Sequence, residues 1–181
     1  MPATQSRIND FVLKIATVNG TGSASANGLV MKALFRMGIP VTGKNLFPSN
    51  IQGLPTWYEV RASRAGYMAR TGRVDVMVAM NAQTYKKDMA EVSPGGFLIY
   101  DSTWPRERMM NREDITILGV PLSKLCNEQF SVSRVRILMK NVAYVGVLAA
   151  LLDIDLDIIR GLLEETTGDD AYHHAKQRRK A

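Results

Sequence analysis

Short, almost wholly apolar stretches alternate along the chain with longer stretches in which apolar residues recur every three or four positions. Asp10–Asn19 contains FVLKIATV, apolar and β-branched nearly throughout, and predicts a buried first strand. Ser23–Met37 follows with Ala26, Leu29, Val30, Ala33, Leu34 and Met37 at helical spacing, and Gly38 is its natural stop. Ile39–Thr42 predicts a short second strand, and GKNLFPSNIQGLP, from Gly43 to Pro55, reads as a loop. Trp57–Ser63, Val74–Met80, Phe97–Asp101 and Ile115–Val120 predict four further strands. Between them fall a short helix over Ala82–Val92, capped by Asn81, and a helical turn over Pro121–Glu128. Asn141–Leu152 is apolar on nearly every face, which describes a helix that is buried or docked on a partner. Ile154–Thr167, with Asp155 as its N-cap, is the last predicted element.

Strands alternating with helices predict an α/β protein, a three-layer α/β/α sandwich with a largely parallel or mixed sheet. Pro55 and Trp57 at the third strand suggest that one edge of that sheet is irregular. Residues 1–168 read as one domain. Residues 169–181 have no core-forming pattern and read as a basic, disordered tail or linker.

Composition narrows the function classes. The 181 residues are 46% hydrophobic and 22% charged, an ordinary globular balance. Of the net charge of +6, four cations against two acids in the tail account for a third, so the body is only mildly basic. That suits acidic small molecules or acidic partners better than nucleic acid, and aromatic residues, at 7%, are too few for a base-stacking surface. The single cysteine, Cys126, allows no internal disulfide and cannot hold an iron–sulfur cluster, which needs about four thiolates. It reads as a small buried hydrophobe. No apolar leader opens the chain, and Val142–Leu152 is too short to span a bilayer, so the expected compartment is the cytoplasm.

One stretch carries candidate chemistry. The first strand runs into Gly20-Thr21-Gly22-Ser23, and a helix starts at once. Glycines there let the backbone approach a ligand closely, and the helix start offers free N–H groups to a phosphate or carboxylate, with the Thr21 and Ser23 hydroxyls beside them. The plain alternative is that the glycines only permit the turn. A dinucleotide fingerprint would need a third glycine and an acidic residue about 20 positions on. Here Ser25 takes the third place, and no acid follows Asp10 until Glu59. An NADP-binding reading survives only through Lys44, facing a 2′-phosphate. Asp75, Asp88 and Asp101 flank element ends and read as caps or ion-pair partners. His173 and His174 lie in the polar tail and read as solvated, and no metal ligand set or catalytic triad is evident. By residues alone, this is a binding or scaffolding domain.

Met31–Ser63 (MKALFRMGIPVTGKNLFPSNIQGLPTWYEVRAS) resembles the γ-type domain of 2-oxoacid:acceptor oxidoreductases, the pyruvate- and 2-oxoglutarate:ferredoxin enzymes. The resemblance continues through Val74–Ser102, Gly119–Leu125 and Met139–Asp155, and is strongest to the N-terminal part of a 2-oxoglutarate-type α subunit. It implies a Rossmann-like fold in a cytoplasmic complex with α- and β-type subunits. That complex oxidatively decarboxylates a 2-oxoacid and passes the acyl group to coenzyme A. Its other parts hold thiamine diphosphate with magnesium and iron–sulfur clusters, which deliver electrons to ferredoxin or a similar acceptor. This chain alone would hold none of these groups, and would contribute on the coenzyme A side. The residues placed there are Gly20, Thr21, Gly22 and Ser23 at the turn, and Lys44, Asn45, Ser49, Asn50 and Gln52 on the following loop. The same loop carries Leu46, Phe47, Ile51, Leu54 and Trp57, apolar anchors suited to a protein contact. A stand-alone NADP-binding protein is the alternative, and a nucleic-acid adaptor acting through the tail QRRK is a lesser one.

Overall fold

A computed structural model describes residues 9–47, 51–104 and 111–166. Among the described residues, six strands form one sheet in the order β2-β3-β1-β4-β5-β6. The apolar run at the N-terminus is β1 (Asp10–Val18), and it lies in the middle of the sheet. On one side, β4 (Val76–Ala79), β5 (Phe97–Asp101) and β6 (Thr116–Val120) add in parallel. On the other, β3 (Pro55–Ser63) runs antiparallel to β1 from Asp10↔Ser63 to Val18↔Pro55, and β2 (Val41–Leu46) pairs antiparallel to β3. The sheet is therefore mixed, with the antiparallel pairing confined to the β2 edge.

Five helices among the described residues cover it: α1 (Ser23–Arg36), α2 (Tyr85–Glu91), α3 (Leu122–Gln129), α4 (Ser133–Leu152) and α5 (Leu156–Thr166). One core joins Leu13, Ile15, Tyr58 and Val60 to Leu29, Val30 and Leu34 of α1, Tyr144 and Leu148 of α4, and Leu162 of α5. A smaller core on the other face joins Ala16, Trp57, Met77 and Leu98 to Tyr85 and Met89 of α2. Period-two alternation sends neighbouring strand residues to opposite cores. Beside α2, that second face carries charge rather than apolar surface. Lys14 pairs with Glu91, Glu59 takes both nitrogens of a fork from Arg70 at 2.6 and 2.7 Å, and Arg61 pairs with Asp10 at 2.6 Å.

Three elements differ from their sequence expectations. The second strand extends through GKN to Leu46, because β3 supplies its whole ladder. Gly43 fits there because the Tyr58 hydroxyl and Met31 sulfur occupy its side-chain space, and a Cβ would lie 2.1 Å from the hydroxyl. The second helix starts at Tyr85 with Thr84 as its N-cap, since Asn81 instead folds a tight turn by accepting the Gln83 N–H at 3.0 Å. The fourth helix begins two turns before Asn141. At 20 residues, with a mean hydropathy of 1.7 over its most apolar 18, it is long and apolar enough to cross a membrane, unlike the Val142–Leu152 run. Its Asn141, Tyr144, Val145, Leu148 and Ala149 face lies in the core.

Candidate functional site

The chain turns one way after β1, through α1 to β2 and β3, and the other way from β4 onward. A crevice at such a switch, beyond the carboxyl ends of the parallel strands, is where α/β sheets bind ligands. The glycine turn is there. Gly20 and Gly22 have φ of 85° and 78°, the left-handed region that side chains resist. A Cβ would also displace neighbours: on Gly20 it would lie 2.5 Å from Gln52 Cγ, and on Gly22 2.5 Å from Cδ2 at the tip of the exposed Leu138 side chain. Gly22 is the N-cap of α1. It brings no capping side chain, and the first turn holds no acid, so the positive end of α1 has no side-chain counterpart of its own.

The two hydroxyls at the turn have internal partners. Thr21 Oγ1 donates to the Val18 carbonyl at 2.8 Å, and the buried Ser23 hydroxyl accepts from Thr17 Oγ1 at 2.9 Å. Thr21 has thereby spent its proton, while Ser23, as the acceptor, keeps its own beside the backbone N–H groups of the turn. Helix α4 holds the turn from behind. The Asn141 amide donates to the Thr21 carbonyl at 2.8 Å, and the Tyr144 hydroxyl donates to Asn27 Oδ1 at 2.7 Å. Burial pushes the Tyr144 phenol up, so it stays a neutral donor.

Two clefts share the turn as a wall. One, of about 260 Å³, is lined by Asn19, Asn27 and Asn45 with Ser23, Thr56 and Phe47, a set of neutral amides and hydroxyls beside one aromatic ring. The other, of about 450 Å³, is lined by Gln52 and Gly53 on one side and by Arg134, Ile137 and Leu138 on the other, so it pairs one cation with an apolar wall.

Of the residues picked from sequence, Gly20, Gly22, Ser23 and Asn45 meet at the first cleft, and Gly20, Thr21, Gly22 and Gln52 at the second. Lys44 does not join them. It stands opposite Glu59 and shares a strand face with Leu46, which packs on the α2-side core, whereas Asn45 faces the glycine turn. The NADP alternative thereby has no cation from Lys44 at the turn. Ser49 and Asn50 lie outside the described residues, as do His173, His174 and the tail. Sequence reading missed Asn19, Asn27, Thr56, Arg134 and Asn141. A signal existed for two of them: Asn27 and Asn141 each interrupt an apolar helix face.

Other polar groups are structural. Asp75 pairs with Arg73 at 2.6 Å and accepts the Val12 N–H at 2.9 Å. Burial pushes the Asp88 carboxyl up, against the opposing bonds it accepts from Thr84 at 2.6 Å and the Trp57 indole at 2.7 Å. At Asp101 burial acts the same way, but hydrogen bonds from Ser123 and Thr103 outweigh it and hold the carboxyl below its usual range. Cys126 is buried, and burial pushes its thiol up, away from thiolate chemistry. Among the described residues no three His, Cys, Asp or Glu converge as a metal set. The arrangement suits holding an anion together with an amide-bearing ligand, and among the described residues no group there is placed for proton transfer.

A family model described as pyruvate ferredoxin/flavodoxin oxidoreductase matches residues 12–178. The chain is 28% identical over 121 residues to the alpha subunit of 2-oxoacid:ferredoxin oxidoreductase 2 from Aeropyrum pernix, covering 67% of this chain and 18% of that protein. Among solved structures, it superposes on a 2-oxoglutarate:ferredoxin oxidoreductase from Magnetococcus marinus that has 2-oxoglutarate, coenzyme A and succinyl-CoA bound. There the TM-score is 0.77 and the identity 25%, over 90% of this chain and 28% of the other. A pyruvate oxidoreductase subunit from Thermotoga maritima matches at a TM-score of 0.70 and 16% identity, over 87% of this chain and 85% of that one. A keto/oxoacid ferredoxin oxidoreductase gamma subunit from Geobacter sulfurreducens shares the fold at a TM-score of 0.67. The chain thus spans less than a third of the first two relatives and most of the last two.

Proposed function

The chain belongs to the pyruvate ferredoxin/flavodoxin oxidoreductase family, and from that premise we propose that it is a γ-type unit supporting coenzyme A-dependent oxidative decarboxylation of a 2-oxoacid. Its activity requires companion α- and β-type parts, which hold thiamine diphosphate with magnesium and the iron–sulfur clusters and pass electrons to ferredoxin. The donor set of this chain does not fit a cluster, since one buried cysteine cannot ligate it. It does fit part of coenzyme A. The observation that carries the reading is the turn with two positive-φ glycines at the sheet's switch point, between a neutral amide cleft and a cationic, apolar one.

Coenzyme A supplies the thiol that accepts the acyl group. The residues of this chain hold and orient the carrier. Backbone N–H groups at Gly20–Ser23 and the start of α1 face phosphate oxygens, with Arg134 as the nearby cation. Asn45 and Asn27 match the pantetheine amides, since each primary amide both donates and accepts. Gln52 closes the far side of the turn.

Steady-state kinetics of the assembled enzyme test this. Asn45→Ala and Arg134→Ala are expected to raise KM for coenzyme A about tenfold, as loss of one hydrogen bond to a charged or buried group does, and to leave KM for the 2-oxoacid alone. Unchanged coenzyme A kinetics in both variants would remove this chain from the coenzyme A site.

A further inference from the structure

Helix α4 is apolar enough for complete burial, yet only 28% of its most apolar 18-residue window is buried. The exposure is concentrated at its start. Over Ser133–Leu138 every residue but Arg136 is exposed, including Val135 at 36%, Ile137 at 45% and Leu138 at 43%, and Val132 just before them is 46% exposed. Burial resumes at Asn141, where the helix joins the core. The exposed turns abut the glycine turn through Leu138 and line one cleft opposite Gln52, whose neighbour Ile51 is 66% exposed. An apolar helix end projecting beside an open cleft is a surface made to be covered.

We propose that this projecting start of α4, with Ile51 across the cleft, is the docking face for the larger companion polypeptide of the same oxidoreductase, which also supplies the missing wall of the cleft. The inference rests on the γ-type reading. Two observations select the occupant. The matched stretch covers 28% of the Magnetococcus chain and 18% of the Aeropyrum subunit, so in those relatives most of the polypeptide lies beyond it. The patch also carries Arg134, Arg136 and Lys140 on one helix. A two-fold contact with a second copy would set that basic patch against itself, whereas a partner with an apolar centre and acidic rim would satisfy it. A bilayer is the poorer occupant, because only the first turn and a half of α4 is free and the rest is tied into the core.

The test is affinity purification of the tagged chain from its native host, with mass spectrometry of what accompanies it. Val132→Asp/Val135→Asp changes the proposed face and keeps the fold, since aspartate at and after the N-cap favours the helix start. Phe35→Asp, at 69% exposure near the far end of α1, is the control. Circular dichroism and thermal unfolding confirm that each variant is folded. Wild type and Phe35→Asp are expected to bring down a larger 2-oxoacid oxidoreductase subunit, and the double variant at least tenfold less. Equal recovery by all three overturns the docking face and leaves the γ-type reading standing. No such subunit with the wild type overturns both. Loss of self-association or of sedimentation with anionic vesicles in the double variant, with the companion retained, reassigns the face to a second copy or a membrane.

Discussion

The side-chain amide of Asn141 donates to the backbone carbonyl of Thr21 at 2.8 Å, across 120 positions of sequence. Asn141 is buried, so this single bond fixes the glycine turn to the core helix behind it. Replacing it with leucine leaves the Thr21 carbonyl unpaired at a half-buried position. The expected cost is about 1–3 kcal/mol, or a fall in Tm of roughly 3–10 °C. If the turn holds coenzyme A, KM for coenzyme A rises along with the instability. Tyr144→Phe, which breaks the next bond along α4 and releases the Asn27 amide rather than the turn itself, should lower Tm by less and raise that KM less than Asn141→Leu does. An equal kinetic effect would show that the turn does not depend on the Asn141 bond in particular.

Two glycines in the same segment should respond in opposite senses. Gly22 has φ of 78°, which a Cβ resists, so Gly22→Ala should destabilise by about 1–2 kcal/mol. Gly28 lies inside α1, and a methyl group added there would meet nothing within 4 Å, so Gly28→Ala should stabilise by roughly 0.5–1 kcal/mol. Denaturant unfolding of both variants decides this. A destabilising Gly28→Ala would mean that α1 packs more tightly there than its geometry indicates.

Sequence pattern resolved the parts of this fold whose neighbours are local or whose burial is complete. Phe97–Asp101 is buried enough on both faces that its apolar run defines its ends, and α1 keeps one clean apolar stripe. Gly43 and Asn45 looked like loop because their strand character comes from β3, which pairs with them from outside the segment. The first turns of α4 were invisible because Arg134, Arg136 and Lys140 break the apolar run, and because their exposed face gives no periodic signal. The glycine turn was legible as a turn. Its surroundings were not, since Thr56, Arg134 and Asn141 reach it only through the topology, and Lys44 is carried to the opposite face by the strand's alternation.

Asp88 and Asp101 should give opposite pH dependence of stability. Burial raises the Asp88 pKa in the fold above its ordinary 3.8, so its contribution is full below that value and is lost as pH rises through the folded pKa. The groups facing it are Thr84, Trp57, Glu91 and Lys14. Asp101 is lowered below 3.8 overall, so its contribution is present above that value and is lost as pH falls through the folded pKa. In thermal unfolding from ~pH 3 to 6, wild type should lose ground to Asp88→Asn as pH rises and gain ground on Asp101→Asn. Curves that run parallel to wild type in both variants would contradict the two environments.

Lys44 and Asn45 are adjacent in sequence and separated by the sheet. A cation on a mobile loop would steer a phosphate from either position, but a strand residue serves only its own face. Asn45 lines the cleft at the glycine turn, and Lys44 faces the charged belt that includes Glu59. Lys44→Ala is therefore expected to change KM for coenzyme A less than twofold, within the range of a screened surface charge, while Asn45→Ala raises it about tenfold. The same pair separates the NADP alternative, which would need Lys44 for the 2′-phosphate. Saturable NADPH binding by the isolated chain, weakened by Lys44→Ala and not by Asn45→Ala, would reverse the assignment of faces and of ligand together.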